Sequence, residues 1–291
     1  SSMGHGFDRH RFLAAVQVVQ QASAGATIAE LENRLQIFDQ VESTNQVAWE
    51  SMTDGALGPI VVALQQSAGR GQWGRQWDSQ LGGLYLSVGL NLTLPATQAA
   101  QLTLCTVWGI AIALRLIPPI LSGVTTEIPV QIKWLNDLVL HGRKLGGILT
   151  ETRIQQEWIT KAVVGVGLNW TNPVPPTGIN LQTFLAHHPD PLIESLEMLT
   201  AIVLHGLFAG IHQQQAGEME QILREYLTLL AHRNRPLDWN GQTYTVVGIA
   251  PTGELRLQPQ LAQILTHSGN DWNSSMEVLM QPGTISLGYP L

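Results

Sequence analysis

The chain has 291 residues, room for one large domain or two unequal ones, and its 44% hydrophobic and 13% charged residues suit a sizeable core rather than a disordered chain. A formal net charge of −7, from 15 basic against 22 acidic residues, argues against a broad nucleic-acid surface, so any phosphate is handled locally. The single cysteine, Cys105, rules out an internal disulfide framework and fits a reducing cytoplasm.

Along the chain, the spacing of Phe12, Leu13, Val16 and Val19 predicts a helix over 8–24, and a second amphipathic piece follows around 28–35. This leader has no apolar signal-peptide core, is not notably basic, and is too short for a separate helix-turn-helix domain. Strand-like runs near 37–38, 60–64, 84–90, 130–134, 145–152 and 158–166 mix with helical patterns near 43–53, 98–117, 190–211 and 217–231. Without strict βα alternation, that mixture predicts an α+β mixed sheet. The most apolar stretch, 102–117, meets Pro118-Pro119 before the roughly 20 residues of a membrane span, so a buried core helix holding an inert Cys105 is expected. After Arg235-Pro236, the turn signal Asn240-Gly241 and short strands over 243–250, 254–258, 276–280 and 284–287 predict a small β-barrel. The division expected is 1–35 helical, 36–234 catalytic and 235–291 barrel. A soluble cytoplasmic protein with no membrane partner is also expected.

Residues 69–77 read Gly-Arg-Gly-Gln-Trp-Gly-Arg-Gln-Trp. Gly69, Gly71 and Gly74 allow close backbone approach or positive φ, and Arg70 and Arg75 bring charges suited to an anion. No Gly-Lys-Ser/Thr closes the loop, so it is not a Walker loop, and alone it is as often a solvated connection as a site. Four further segments place polar groups among apolar ones. They are Ser43-Thr44-Asn45, Lys133-Trp134-Leu135-Asn136-Asp137, Lys144-Leu145-Gly146-Gly147 and Gly167-Leu168-Asn169. Singly, they read as a helix N-cap, a hairpin turn, a second turn and a strand end.

Together and in this order, the five segments resemble the biotin protein ligases. Members carry Ser-Thr-Asn, Gly-Arg-Gly-Arg-x-Gly-Arg-x-Trp, Lys-Trp-Pro-Asn-Asp, Lys-Leu-x-Gly-Ile-Leu and Gly-x-Asn, the likeness covers roughly 36–291, and a ligase lacking a DNA-binding domain is expected. The resemblance implies a mixed-sheet biotin/lipoate ligase-like catalytic domain and a C-terminal SH3-like β-barrel. It implies that ATP activates biotin to biotinyl-5'-AMP, and that a lysine of the biotin carboxyl carrier protein of acetyl-CoA carboxylase then takes the biotin. By the same resemblance Lys144 and Arg70 face the biotin carboxylate and α-phosphate. Arg75 and Lys133 face the phosphates, with Mg²⁺ completing the neutralisation. Ser43, Thr44, Asn45, Gln66 and Gly69 match biotin contacts, Gly147 lets the backbone approach the ligand, and Trp77 is the lid. Asn136 and Asn169 match positions around the nucleotide, while Gly71, Gln72 and Gly74 belong to a loop able to close.

A free lysine titrates near 10.4, so holding one neutral at neutral pH costs about 4 kcal/mol. Asp137 is placed by the motif to orient or deprotonate that amine, a structural aspartate at a turn being the alternative. Two positions depart from the pattern: Gln72 stands where a second arginine is usual, and Leu135 where proline is usual. Gln72 cannot neutralise an adenylate, which puts its retention in question. A lipoate ligase or octanoyl transferase, and a non-catalytic biotin sensor, are the other readings. His187-His188 has no metal-spaced partners, so no structural metal is expected.

Overall fold

Continuous apolar runs such as Ile60-Val61-Val62-Ala63 make strands buried on both faces, and these assemble one central sheet. A computed structural model describes residues 6–21, 28–260, 277–285 and 288–289. In chain order the elements begin α1 (Arg9–Gln21), α2 (Ile28–Arg34), β1 (Leu35–Val41), α3 (Thr44–Glu50), β2 (Leu57–Gln66), β3 (Leu84–Pro95) and α4 (Ala99–Ser122). Next come β4 (Gln131–Lys133), β5 (Asp137–Leu140), β6 (Arg143–Gln155), β7 (Trp158–Leu168), α5 (Leu181–Leu185), α6 (Leu196–Gln215) and α7 (Met219–Leu229). Seven strands pair in the order β1-β2-β3-β7-β6-β5-β4, with β1 and β2 parallel across α3 and the other pairs antiparallel. The β6–β7 hairpin turns through Gln156 and Glu157, both at positive φ, which suits the strand twist.

Side chains alternate across a strand, so one set of residues builds each face. Ile60, Val62, Leu84, Leu86, Val88, Ile148, Val164 and Val166 share the main core with α4 and α6. On the other face Val61 and Val163 pack with Ala48 of α3. Phe12, Val16 and Val19 of α1 join the main core as well.

Three glycines bring α4 and α6 to backbone contact. A Cβ on Gly109 would lie 2.1 Å from the Gly206 carbonyl oxygen, and one on Gly210 would lie 2.1 Å from that of Cys105. Helix α4 does not stop at Pro118-Pro119 as expected but runs to Ser122. The prolines withhold N–H groups only from Leu114 and Arg115, near the helix end, and Gly123 at φ 69° caps it with its N–H on Ile120 O. Helices α4 and α6 are long and apolar enough to cross a membrane, but most of each is buried inside the fold.

Other boundaries move for local reasons. The helix expected from 190 begins at Leu196, because Ser195 caps it by accepting from Met198 N at 3.1 Å. The single strand expected over 130–134 becomes the β4–β5 hairpin, and α5 was not expected. The C-terminal part is an SH3-like antiparallel meander of β8 (Leu237–Trp239), β9 (Gln242–Ile249), β10 (Leu255–Pro259) and β11 (Val278–Met280). Asn240 and Gly241, both at positive φ, make its first turn. In the strand expected over 284–287, Thr284 instead closes a turn onto Gln281, and 286–287 lie outside the described residues, as do 22–24 of the first helix and Met276.

Candidate active site

Two rows cross the sheet on the face away from α4 and α6: Ala63, Tyr85, Gly167, Gly147 and Asp137, and beside it Val61, Ser87, Gly165 and Leu149. The three glycines let neighbouring side chains lie directly against the strand backbone. A Cβ on Gly165 would meet Asn45 Oδ1 at 2.2 Å, one on Gly167 would meet Trp77 Nε1 at 2.5 Å, and one on Gly147 would meet Asp137 Oδ1 at 3.2 Å. Over this floor lies a cavity of about 500 Å³. Ser43, Thr44, Asn45 and Gln66 line it, as do Arg70, Gly71, Gln72, Arg75 and Trp77 from the loop, and Lys133, Asn136, Asp137, Lys144 and Gly147 from the far strands.

The polar wall is built from the start of α3 and the end of β2. Ser43 is the N-cap of α3, accepting from Gln46 N at 3.4 Å, and it also lines the cavity. Gln66 Oε1 accepts from Thr44 N at 2.8 Å and from Thr44 Oγ1 at 3.2 Å, while Gln66 Nε2 donates to Ser79 Oγ at 2.9 Å. Ser79 in turn donates to Trp77 O at 2.9 Å. Ser87 Oγ lies 2.7 Å from Thr44 Oγ1 and donates to Asn45 Oδ1 at 2.5 Å. These buried hydroxyls and amides are therefore paired, and their directions are set before any ligand arrives.

The glycine-arginine loop is a compact hairpin. Gly71 N donates to Arg75 O at 2.7 Å, Trp77 N to Gly69 O at 2.8 Å, and a single 3-10 turn spans Gln72–Gly74. Among its residues Gly74 and Trp73 have positive φ, and Trp73 is 68% exposed at the tip. Gly69 is required for close approach, since a Cβ there would lie 2.5 Å from Trp77 O. Gly69 and Gly74 do not line the cavity. Trp77 folds back onto Gly147 and Gly167, and its Nε1 has no hydrogen-bond partner among the described residues.

Four cations and one carboxylate meet in this cavity: Arg70, Arg75, Lys133, Lys144 and Asp137. Lys144 Nζ lies 3.4 Å from Asp137 Oδ2 and 5.1 Å from the centre of the Trp77 ring. Burial lowers the Lys133 pKa below the ordinary lysine value; nearby Lys144 and Arg75 add to the lowering and Asp137 opposes it. Backbone around Lys144 is fixed from behind, since its N–H donates to Thr177 O and Asn169 Nδ2 donates to its carbonyl at 3.3 Å. Asn169 thus stands outside the cavity as a support for Lys144, because the strand end turns its amide inward to Lys144 O and Ile179 O. Asn136 lines the cavity, and its Nδ2 donates one hydrogen bond to Ile148 O at 2.8 Å.

Sequence reasoning missed four contributors: Ser79, Ser87, Glu151 and Tyr289. Strand alternation from Gly147 puts Glu151 on the floor's face, a signal present in the pattern, whereas Ser87 is placed there by its pairing with Gly165 across β3 and β7. Tyr289 comes from the far end of the chain. Its hydroxyl donates to Asp137 Oδ2 at 3.0 Å, and Lys133 Nζ sits 3.9 Å from its ring centre. Pro282 to Ile285 also line the cavity. Among the described residues no group of three or more His, Cys, Asp or Glu could hold a metal ion.

Comparison with known proteins agrees with this geometry. Residues 37–169 match the Biotin/lipoate A/B protein ligase family. The bifunctional ligase/repressor BirA of Bacillus spizizenii is 36% identical over 137 residues, covering 45% of this chain and 38% of that protein. The biotin--[acetyl-CoA-carboxylase] ligase of Paracoccus denitrificans is 29% identical over 168 residues, covering 54% and 67%. The alignment thus spans about two fifths of the length of the first of these relatives. The biotin protein ligase from Aquifex aeolicus, solved with biotin and ATP, has the same fold, with a TM-score of 0.61, 19% identity, and coverage of 85% of this chain and 95% of that one. Residues 37–169 are thus similar to the biotin/lipoate A/B protein ligase family, and the fold around them is that of a solved biotin protein ligase.

Proposed function

We propose that this protein is an ATP-dependent biotin protein ligase that biotinylates the carrier protein of acetyl-CoA carboxylase, with residues 36–234 catalytic and 235–291 accessory. One observation carries the reading: among the described residues, four cationic side chains converge with a single carboxylate on a cavity lined along the sheet by Gly147, Gly165 and Gly167. A flat apolar bicycle with a ureido group suits that floor and the Ser43, Thr44, Asn45 and Gln66 wall. The charges suit a reaction between two anions.

In the first step a biotin carboxylate oxygen bonds to the α-phosphorus of ATP, and the bond to pyrophosphate breaks. Arg70 and Lys144 neutralise the meeting oxygens and Arg75 and Lys133 the departing phosphates, each charge-assisted bond contributing roughly 1.5–3 kcal/mol. The cavity's one carboxylate fits Mg²⁺ held chiefly by the nucleotide's own phosphates, where it would add neutralising charge. In the second step the carrier amine bonds to the biotinyl carbonyl carbon, AMP leaves, and the amine's proton is released. Asp137 orients that amine. Biotin-dependent exchange of labelled pyrophosphate into ATP tests the reading directly, since absence of exchange in folded protein would overturn it. Transfer to a purified carrier domain then tests the acceptor.

A further inference from the structure

We propose that Glu151 is a positioning residue that sets the guanidinium of Arg70 for the ligand's anion. It rests on the biotin ligase reading for the ligand and on three contacts for the geometry. Glu151 lies on β6, on the same face as Gly147 but two alternations away, opposite Val163 of β7. Its Oε1 accepts from Asn45 Nδ2 at 2.9 Å, from Trp49 Nε1 at 3.4 Å and from Arg70 Nη2 at 3.1 Å. Two donors come from α3 and one from the loop, so a single oxygen ties the loop to the polar wall. Asn45 is itself oriented, because its Oδ1 is taken by Ser87 Oγ.

The grip on Arg70 comes from behind. Arg70 lines the cavity and Glu151 does not. Only one terminal nitrogen is engaged, and Nη1 makes no hydrogen bond among the described residues, so it stays available for a carboxylate or phosphate oxygen. An arginine on a loop otherwise spreads over many rotamers, and fixing it in advance removes that loss from binding. The pair is partly exposed, 44% for the Arg70 side chain and 28% for Glu151, so it contributes little to stability. A purely structural role and a positioning role therefore give different results on removal.

The test is biotin affinity by calorimetry in the wild type, Glu151→Gln, Arg70→Met and the double variant, with unfolding midpoints alongside. Glu151→Gln keeps an acceptor for Asn45 but loses the charge that holds Arg70. Biotin affinity should fall on the order of tenfold while the midpoint and the KM for ATP hold, and on the Arg70→Met background the same change should add nothing. Unchanged or tighter biotin binding, or losses that add in the double variant, would overturn the proposal. Glu151→Asp, which keeps the charge one methylene short, should restore part of the loss and carries the test if the glutamine variant does not fold. A wild type that binds no biotin would sink the ligase reading instead. Trypsin cleavage after Arg70 in ligand-free protein then decides the tether by itself: severalfold faster cutting in Glu151→Gln supports it, and equal rates refute it.

Discussion

Lys144 shows how a single residue can matter to chemistry and little to folding. Its ammonium meets Asp137 Oδ2 at 3.4 Å and its side chain is one-third exposed, while its backbone is fixed by Thr177 and Asn169. Lys144→Ala should lower pyrophosphate exchange by about 100-fold or more, in line with removing one preorganised charge, and leave the unfolding midpoint nearly unchanged. A well-folded variant with near-normal exchange would remove Lys144 from the reaction. Gln72 is the converse case, a neutral amide lining the cavity within the loop's 3-10 turn. Gln72→Arg should slow loss of the adenylate by roughly fivefold, the effect of about 1 kcal/mol in a charge-assisted contact. Labelling of bystander albumin should drop accordingly, and equal labelling by both proteins would show that Gln72 has no weight in retention.

At the scale of elements, the helix pair α4 and α6 sets the frame on which the sheet's functional face rests. Their contact depends on small residues: a Cβ on Gly206 would lie 2.4 Å from Gly109 O and 2.8 Å from Ala113 Cβ. In an isolated helix Gly→Ala stabilises by about 1 kcal/mol, whereas overpacking a close contact costs about 1–3 kcal/mol. Gly206→Ala should therefore lower stability in urea unfolding, and a gain would show that the helices can separate at no penalty. The strands are more legible than this contact. Alternation visible in the sequence puts Gly165 and Gly167 of β7 on one face, and Gly147 and Glu151 of β6 on one face, but that these faces coincide follows from the β6–β7 register, and which element covers them is not written locally.

At the scale of the whole molecule, the C-terminal meander is tied to the motif hairpin, where Trp134 Nε1 donates to Gly253 O at 2.8 Å. The segment leading into the meander is held to the same hairpin, Ala231 N donating to Ile132 O at 2.8 Å. His232 sits in this seam, buried, with no partner for Nδ1 among the described residues. Burial, then Lys133 and Arg235, push its pKa down from 6.5 to about 4. Between those values the unfolded chain takes up a proton that the folded chain refuses, so stability falls as pH drops from 6.5 towards about 4 and is fully present above 6.5. His232→Gln should flatten that part of the unfolding free energy against pH, and an unchanged slope would show that other groups carry it.

The sequence by itself determined what depends on neighbours a few residues apart: the N-cap at Ser43, the turn at Asn240-Gly241, strand alternation, and the five polar segments in their order. Tertiary structure alone decided which of those groups meet. It joined Glu151 to Arg70 across 81 positions and Tyr289 to Asp137 across 152, and it turned Asn169 behind Lys144. It also carried α4 past two prolines. The reason is physical: caps, turns and alternation are local hydrogen-bonding and steric preferences, whereas these pairings depend on how the sheet's face is covered and on where buried polar groups find partners.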